Sequence, residues 1–147
     1  MSYKINTVVS PDLQSVEAIA NALDLMGYRP GADTKAHIAA RSKVYFREGD
    51  RVFIPPQSIP GCQDSVYLSL GYIQTNRGMQ RVVDHMYVDR QGNLTHPALA
   101  AFEQRLQNFI NAQRIMDAAR AQGINFSITT ALDGRIELLA PASVTTF

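Results

Sequence analysis

The stretch from Thr95 to Gln122 constrains this chain more than any other. Leu99, Phe102, Leu106, Phe109, Ile110 and Met116 recur at three- and four-residue spacing, which is the signature of one apolar helix face. His96-Pro97 marks its start and Gly123 its stop. A helix of about 26 residues spans ~39 Å, whereas a sheet five strands wide is only ~24 Å across. One end of the apolar stripe therefore outruns any sheet the remaining residues can build. It must be covered by the middle of the chain, by another copy, or by a partner. The middle is a poor cover, because Pro55 to Gly61 is rich in Pro and Gly and reads as a long loop within the domain. The stripe thus points to a homo-oligomer or a hetero-complex, with Phe102, Leu106, Phe109, Ile110 and Met116 as the expected interface.

The other segments are shorter. Residues 4–9 read as a strand. Ser10-Pro11-Asp12 then has the cap, first-turn proline and early acidic residue that open a helix. Leu13, Val16, Ile19, Ala20, Leu23 and Met26 share one face of it, and Gly27 ends it. Residues 36–41 fit strand or helix equally, and 31–34 read as loop. Residues 43–47 and 51–54 form a hairpin around Glu48-Gly49-Asp50. A strand over 65–74 alternates Val66, Leu68, Leu70 and Tyr72 on one face. Another over 80–89 ends at the turn residues Arg90-Gln91-Gly92-Asn93. Residues 124–140 form a last hairpin. A two-residue Asp133-Gly134 turn would split its apolar residues between faces. A three-residue loop, with Gly134 in the left-handed position, pairs Thr130 with Ile136 and Ile128 with Leu138. It thereby gathers Phe126, Ile128, Ile136 and Leu138 on one face. The three-residue loop is the expected one.

These elements predict an α+β fold: an antiparallel sheet of about five or six strands with both helices packed on one face. The order is compatible with a ferredoxin-like core carrying an enlarged middle. A chain of 147 residues suits a single domain, 1–147. With 14 basic and 13 acidic residues the net charge is +1, and the absence of a basic excess argues against nucleic acid. The single cysteine, Cys62, permits neither an intramolecular disulfide nor a thiolate metal cluster. No run is long enough to span a bilayer and the N-terminus lacks an apolar signal core, so a cytoplasmic location is expected. Neither of the glycine-rich phosphate-cradling patterns occurs. No metal or cofactor is expected.

Few residues suggest chemistry. Asp84 and His85 adjoin on an expected strand and so should point to opposite faces, while His85 and Asp89 share a face but stand about 13 Å apart. His37 is isolated, and His96 beside Pro97 reads as a helix-start residue. Cys62 has no base beside it to make a thiolate. The one basic–aromatic cluster is Arg41, Lys43, Arg47 and Arg51 with Tyr45 and Phe46. Such a set can hold a phosphate or stack on a base, or simply be the polar face of a hairpin. The leading expectation is a non-catalytic binding or adaptor protein acting through a partner or its own oligomer. The alternative is a small-ligand, nucleotide-like binding or sequestering protein using Arg41, Lys43, Tyr45, Arg47 and Arg51. An enzyme comes third, with no catalytic residue to name.

Both ends of the chain carry a family resemblance. Thr7 closing the first strand, then Ile19-Ala20-Asn21-Ala22-Leu23-Asp24-Leu25-Met26-Gly27-Tyr28, form the first part. Phe102-Glu103-Gln104-Arg105-Leu106, Ala118-Ala119-Arg120-Ala121-Gln122-Gly123 and Asp133-Gly134-Arg135-Ile136-Glu137-Leu138 form the second. These resemble the domain-of-unknown-function family typified by the plastid hypothetical reading frame Ycf thirty-five. Together they cover roughly half the chain; residues 29–93 find no counterpart, and Ile110-Asn111-Ala112 stands near where the family has Tyr-Ala. The resemblance implies an accessory or adaptor role, in some bacteria beside a MoxR-type AAA ATPase. It implies no activity.

Overall fold

In a computed structural model of the chain, the described residues are 3–6, 13, 15–32, 43–65, 68–131 and 135–140. Strand β1 (Tyr3–Asn6) precedes helix α1 (Val16–Leu25), where Val16, Ile19, Ala20 and Leu23 repeat at helical spacing and are buried. The cap is Ser15, five residues after Ser10, and its hydroxyl oxygen accepts from the Ala18 N–H at 3.0 Å. Ser10, Pro11 and Asp12 lie outside the described residues. Gly27, at φ 93°, terminates α1 as expected.

Six strands form the main sheet, in the order β1-β6-β5-β4-β3-β2. Strands β3 (Val44–Glu48), β4 (Arg51–Ile54), β5 (Leu70–Thr75) and β6 (Gly78–Asp84) run as an antiparallel meander, and β1 returns antiparallel beside β6. The two-residue β2 (Arg29–Pro30) adds parallel to β3, so the sheet is mixed only at that edge. The fold is α+β, as predicted. The described strands of the main sheet run as a meander with β1 at one end.

Alternation decides which face is buried. Val52 pairs with Tyr72, Ile54 with Leu70 and Tyr72 with Arg81, which places these side chains on the face toward the helices. There they join α1 and the second helix, α2 (Pro97–Arg120), in one hydrophobic core. Phe102 of α2 meets Tyr28 edge-on, with ring centroids 5.8 Å apart. Gly61, at φ 87°, lets the loop after β4 approach α2, since a Cβ there would stand 2.9 Å from that of Ala98.

Two strands are shorter than expected. β5 begins at Leu70, and Val66 lies outside the described residues. β6 ends at Asp84, because its carboxylate accepts from the Met86 N–H at 3.0 Å and starts a 3-10 turn over His85–Tyr87. The turn expected after residue 89 is present: the Asp89 carboxylate accepts from the Gln91 and Asn93 N–H groups.

Helix α2 carries the last hairpin, β7 (Ser127–Thr130) with β8 (Ile136–Leu139), a two-stranded sheet apart from the main one. Thr130 pairs with Ile136 and Ile128 with Leu138, the register of the three-residue loop. The Ala131 N–H donates to the Arg135 carbonyl at 2.8 Å and closes that loop. Residues 132–134, Gly134 included, lie outside the described residues.

Candidate interaction surface

The only charged pair joining α2 to the main sheet, among the described residues, was not foreseen from sequence. Arg81 of β6 and Glu103 of α2 form a buried two-pronged ion pair, with Arg81 Nε donating to Glu103 Oε2 at 2.8 Å and Nη2 donating to Oε1. The Tyr72 hydroxyl donates to the same Oε2 at 2.7 Å, and Arg81 Nη1 donates to the Gly92 carbonyl at 2.7 Å. Burial, reinforced by the Glu103 carboxylate, holds the Tyr72 phenol well above its ordinary range. Burial alone would lower the Arg81 guanidinium, but its bonds to Glu103 outweigh that and raise it. Each charge has a partner of opposite sign, so the cluster fastens α2 to the sheet and offers no group poised for chemistry. Its signal was present in sequence: Glu103 sits in phase with Leu99, Phe102 and Leu106, and Arg81 alternates inward between Met79 and Val83. Opposite charges on two faces expected to meet imply a pair.

The described members of the basic–aromatic cluster are spread over two faces of the sheet. Arg41 lies outside the described residues. Arg47 pairs with Val52 and Arg51 with Glu48, so the two arginines project from opposite faces of the sheet. Tyr45 is buried and its hydroxyl donates to Asp24 Oδ1 at 2.7 Å. Burial first, then Asp24, pushes that phenol up to about 12. Lys43 places Nζ 5.8 Å from the centroid of the Tyr28 ring. Of the expected ligand-binding set Arg41, Lys43, Tyr45, Arg47 and Arg51, alternation sets Arg51 on the face opposite Arg47, and the core takes the Tyr45 ring.

The acidic–histidine set also differs from expectation. Because the strand ends at Asp84, His85 turns back and its Nδ1 comes within 3.5 Å of Asp84 Oδ1, instead of facing away. The imidazole is 60% exposed, and Asp89 spends its carboxylate on its own turn. No three His, Cys, Asp or Glu side chains gather to hold a metal ion among the described residues. His96 begins α2, its Nδ1 accepting from the Ala98 N–H at 3.2 Å. The Cys62 thiol is buried, and burial pushes its pKa up, which disfavours the nucleophilic thiolate. No described helix is long and apolar enough to cross a membrane.

The expected interface stripe splits in two. Phe102, Leu106, Phe109 and Ile110 are buried in the core, so a partner cannot reach them, and that part of the expectation is corrected. They are covered because α1 packs along α2 beside the sheet and supplies apolar area that strand width alone does not count. Burial along α2 nevertheless stops at Ala112, and the helix continues to Arg120. Met116 is partly exposed and Ile115 is 55% exposed. Between this end and β8 runs a groove of about 380 Å³, with Ala112, Ile115, Ile136 and Leu138 as its apolar wall. Asn108, Asn111 and Arg135 form its polar rim. Ile115 was missed because it lies to one side of the stripe.

No family model, curated protein or solved structure matches this chain. The surface must therefore be read from its own geometry. Of the six large apolar side chains exposed among the described residues, Ile115, Ile124 and Leu139 belong to α2's free end, the segment after it, and the hairpin. The other three, Leu25, Phe53 and Met86, are dispersed over α1, β4 and the turn after β6.

Proposed function

We propose that this chain is a non-catalytic binding or adaptor protein whose working surface is the free end of α2 together with the terminal hairpin. One observation carries the reading: α2 continues for two turns beyond its last buried residue, Ala112, with Ile115 open to solvent beside an apolar groove. Exposed apolar side chains at one end of a molecule, edged by polar residues, are what a protein-binding surface requires. The interior adds support, since Tyr72, Arg81 and Glu103 are engaged with one another and burial disfavours the Cys62 thiolate. The small-ligand alternative has less support, because Arg51 stands on the face opposite Arg47 and the Tyr45 ring is buried. The family resemblance adds a candidate partner class, an AAA ATPase.

The test is Ile115→Glu. The side chain is exposed, so the variant should still unfold cooperatively while losing capture of a partner seated on this groove. Capture is read with a purified candidate ATPase as bait. Equal capture of variant and wild type, or none by either, would overturn the assignment of this surface.

A further inference from the structure

We propose that two copies of this chain pair through β7, edge to edge and antiparallel, about a two-fold axis passing beside Thr129. The inference rests on the interaction surface just described and names its occupant as a second copy. The Ala131 N–H bonds to the Arg135 carbonyl, so with the observed register the backbones of Ala131, Thr129 and Ser127 face β8. Those of Ile128 and Thr130 then point the other way. No strand lies on that side among the described residues, and no hydrogen bond there engages these two backbones.

An open edge of this kind is self-complementary. With Thr129 opposite Thr129 of the second copy, Ile128 and Thr130 each face the other's counterpart and exchange N–H···O=C bonds in both directions. All the outward backbone groups of the two residues are satisfied at once. The two threonines fall at a non-hydrogen-bonded position, where side chains approach most closely and threonine pairs are favourable. No charge lies on β7 itself to repel its copy, and the chain's net charge of only +1 opposes association weakly.

Two contrasts single out this edge. β2 at the border of the main sheet is two residues long, Arg29 and Pro30, and a charge and a proline are the usual defences of an edge. Strand β7 reads Ser-Ile-Thr-Thr and has neither. The second contrast is with the remaining edges, β1 and β8, which carry Lys4 and Glu137, whereas β7 carries no charge. A two-fold axis perpendicular to the strands keeps both α2 helices on one face of the joined sheet. A lone two-stranded hairpin is marginal in water, and pairing would convert two of them into one four-stranded sheet backed by two helices.

Sedimentation of the full chain over a wide concentration range should show a dimer. Thr129→Lys, which sets like charges against each other at an exposed site, should give a monomer that still unfolds cooperatively. Thr129→Cys should form a disulfide-linked dimer on mild oxidation, because a non-hydrogen-bonded pair brings Cα atoms to about 4.5 Å. Cys62 is buried and does not compete. A wild-type monomer throughout, a dimer that survives Thr129→Lys, or a Thr129→Cys chain that fails to cross-link would each overturn the proposal. If that happens while Ile115→Glu still abolishes capture of the ATPase, the binding surface stands and only the β7 pairing falls.

Discussion

Glu103 occupies a place on α2 where the neighbouring spacing calls for an apolar side chain, and a carboxylate persists there because Arg81 meets it with two donors. Removing one partner of such a pair leaves an unpaired charge in the core, whereas removing both does not. Arg81→Met is therefore expected to lower stability by about 3–5 kcal/mol in urea titrations. Arg81→Met with Glu103→Leu should recover much of that loss, although Tyr72 would still lack its acceptor. Equal losses in single and double variants would contradict a paired cluster. The two charges were each visible in sequence as exceptions to apolar periodicity. Their pairing was not, because residues 81 and 103 meet only once α2 is laid across β6.

Among the elements, those with one clear period and one buried face were the most legible. The α1 stripe, its Gly27 stop and the β7–β8 register all follow from that rule, since slipping the hairpin by one residue would turn Ile128 from α2 to water. Ends of elements were less legible, because a capping side chain competes with the period. Asp84 stops β6 before residue 85, and Ser15 starts α1 well after Ser10. Ser15→Ala should cost about 1 kcal/mol, the usual worth of such a cap, measured by thermal or urea unfolding. A variant as stable as the wild type would mean that another group serves the Ala18 N–H.

Over the whole molecule, buried phenols tie stability to alkaline pH. Burial raises Tyr28 and Tyr45 to about 12 and Tyr72 well above its ordinary value, against about 10 in an unfolded chain. Above pH ~10 the unfolded state releases these protons while the folded state keeps them, so unfolding is favoured as pH rises. Their contribution should be complete below pH ~10 and lost progressively toward pH ~12, visible as a falling melting temperature. Tyrosinate absorbance should show these three ionising late; their titration near pH 10 in the folded protein would contradict their burial. The same burial explains how far sequence alone could reach. Periodicity in Leu99 to Ile110, in α1 and in the β-strands established an α+β chain with both helices on one face, because local side-chain spacing dictates which face of an element turns inward. Whether an apolar residue ends in the core or at a surface depends instead on which elements lie beside it. α1 covers Phe102, Leu106, Phe109 and Ile110 and leaves Ile115 open, and strand alternation separates Arg47 from Arg51 although they are four residues apart. Those outcomes follow from contacts between segments distant in the chain, and the tertiary structure alone decided them.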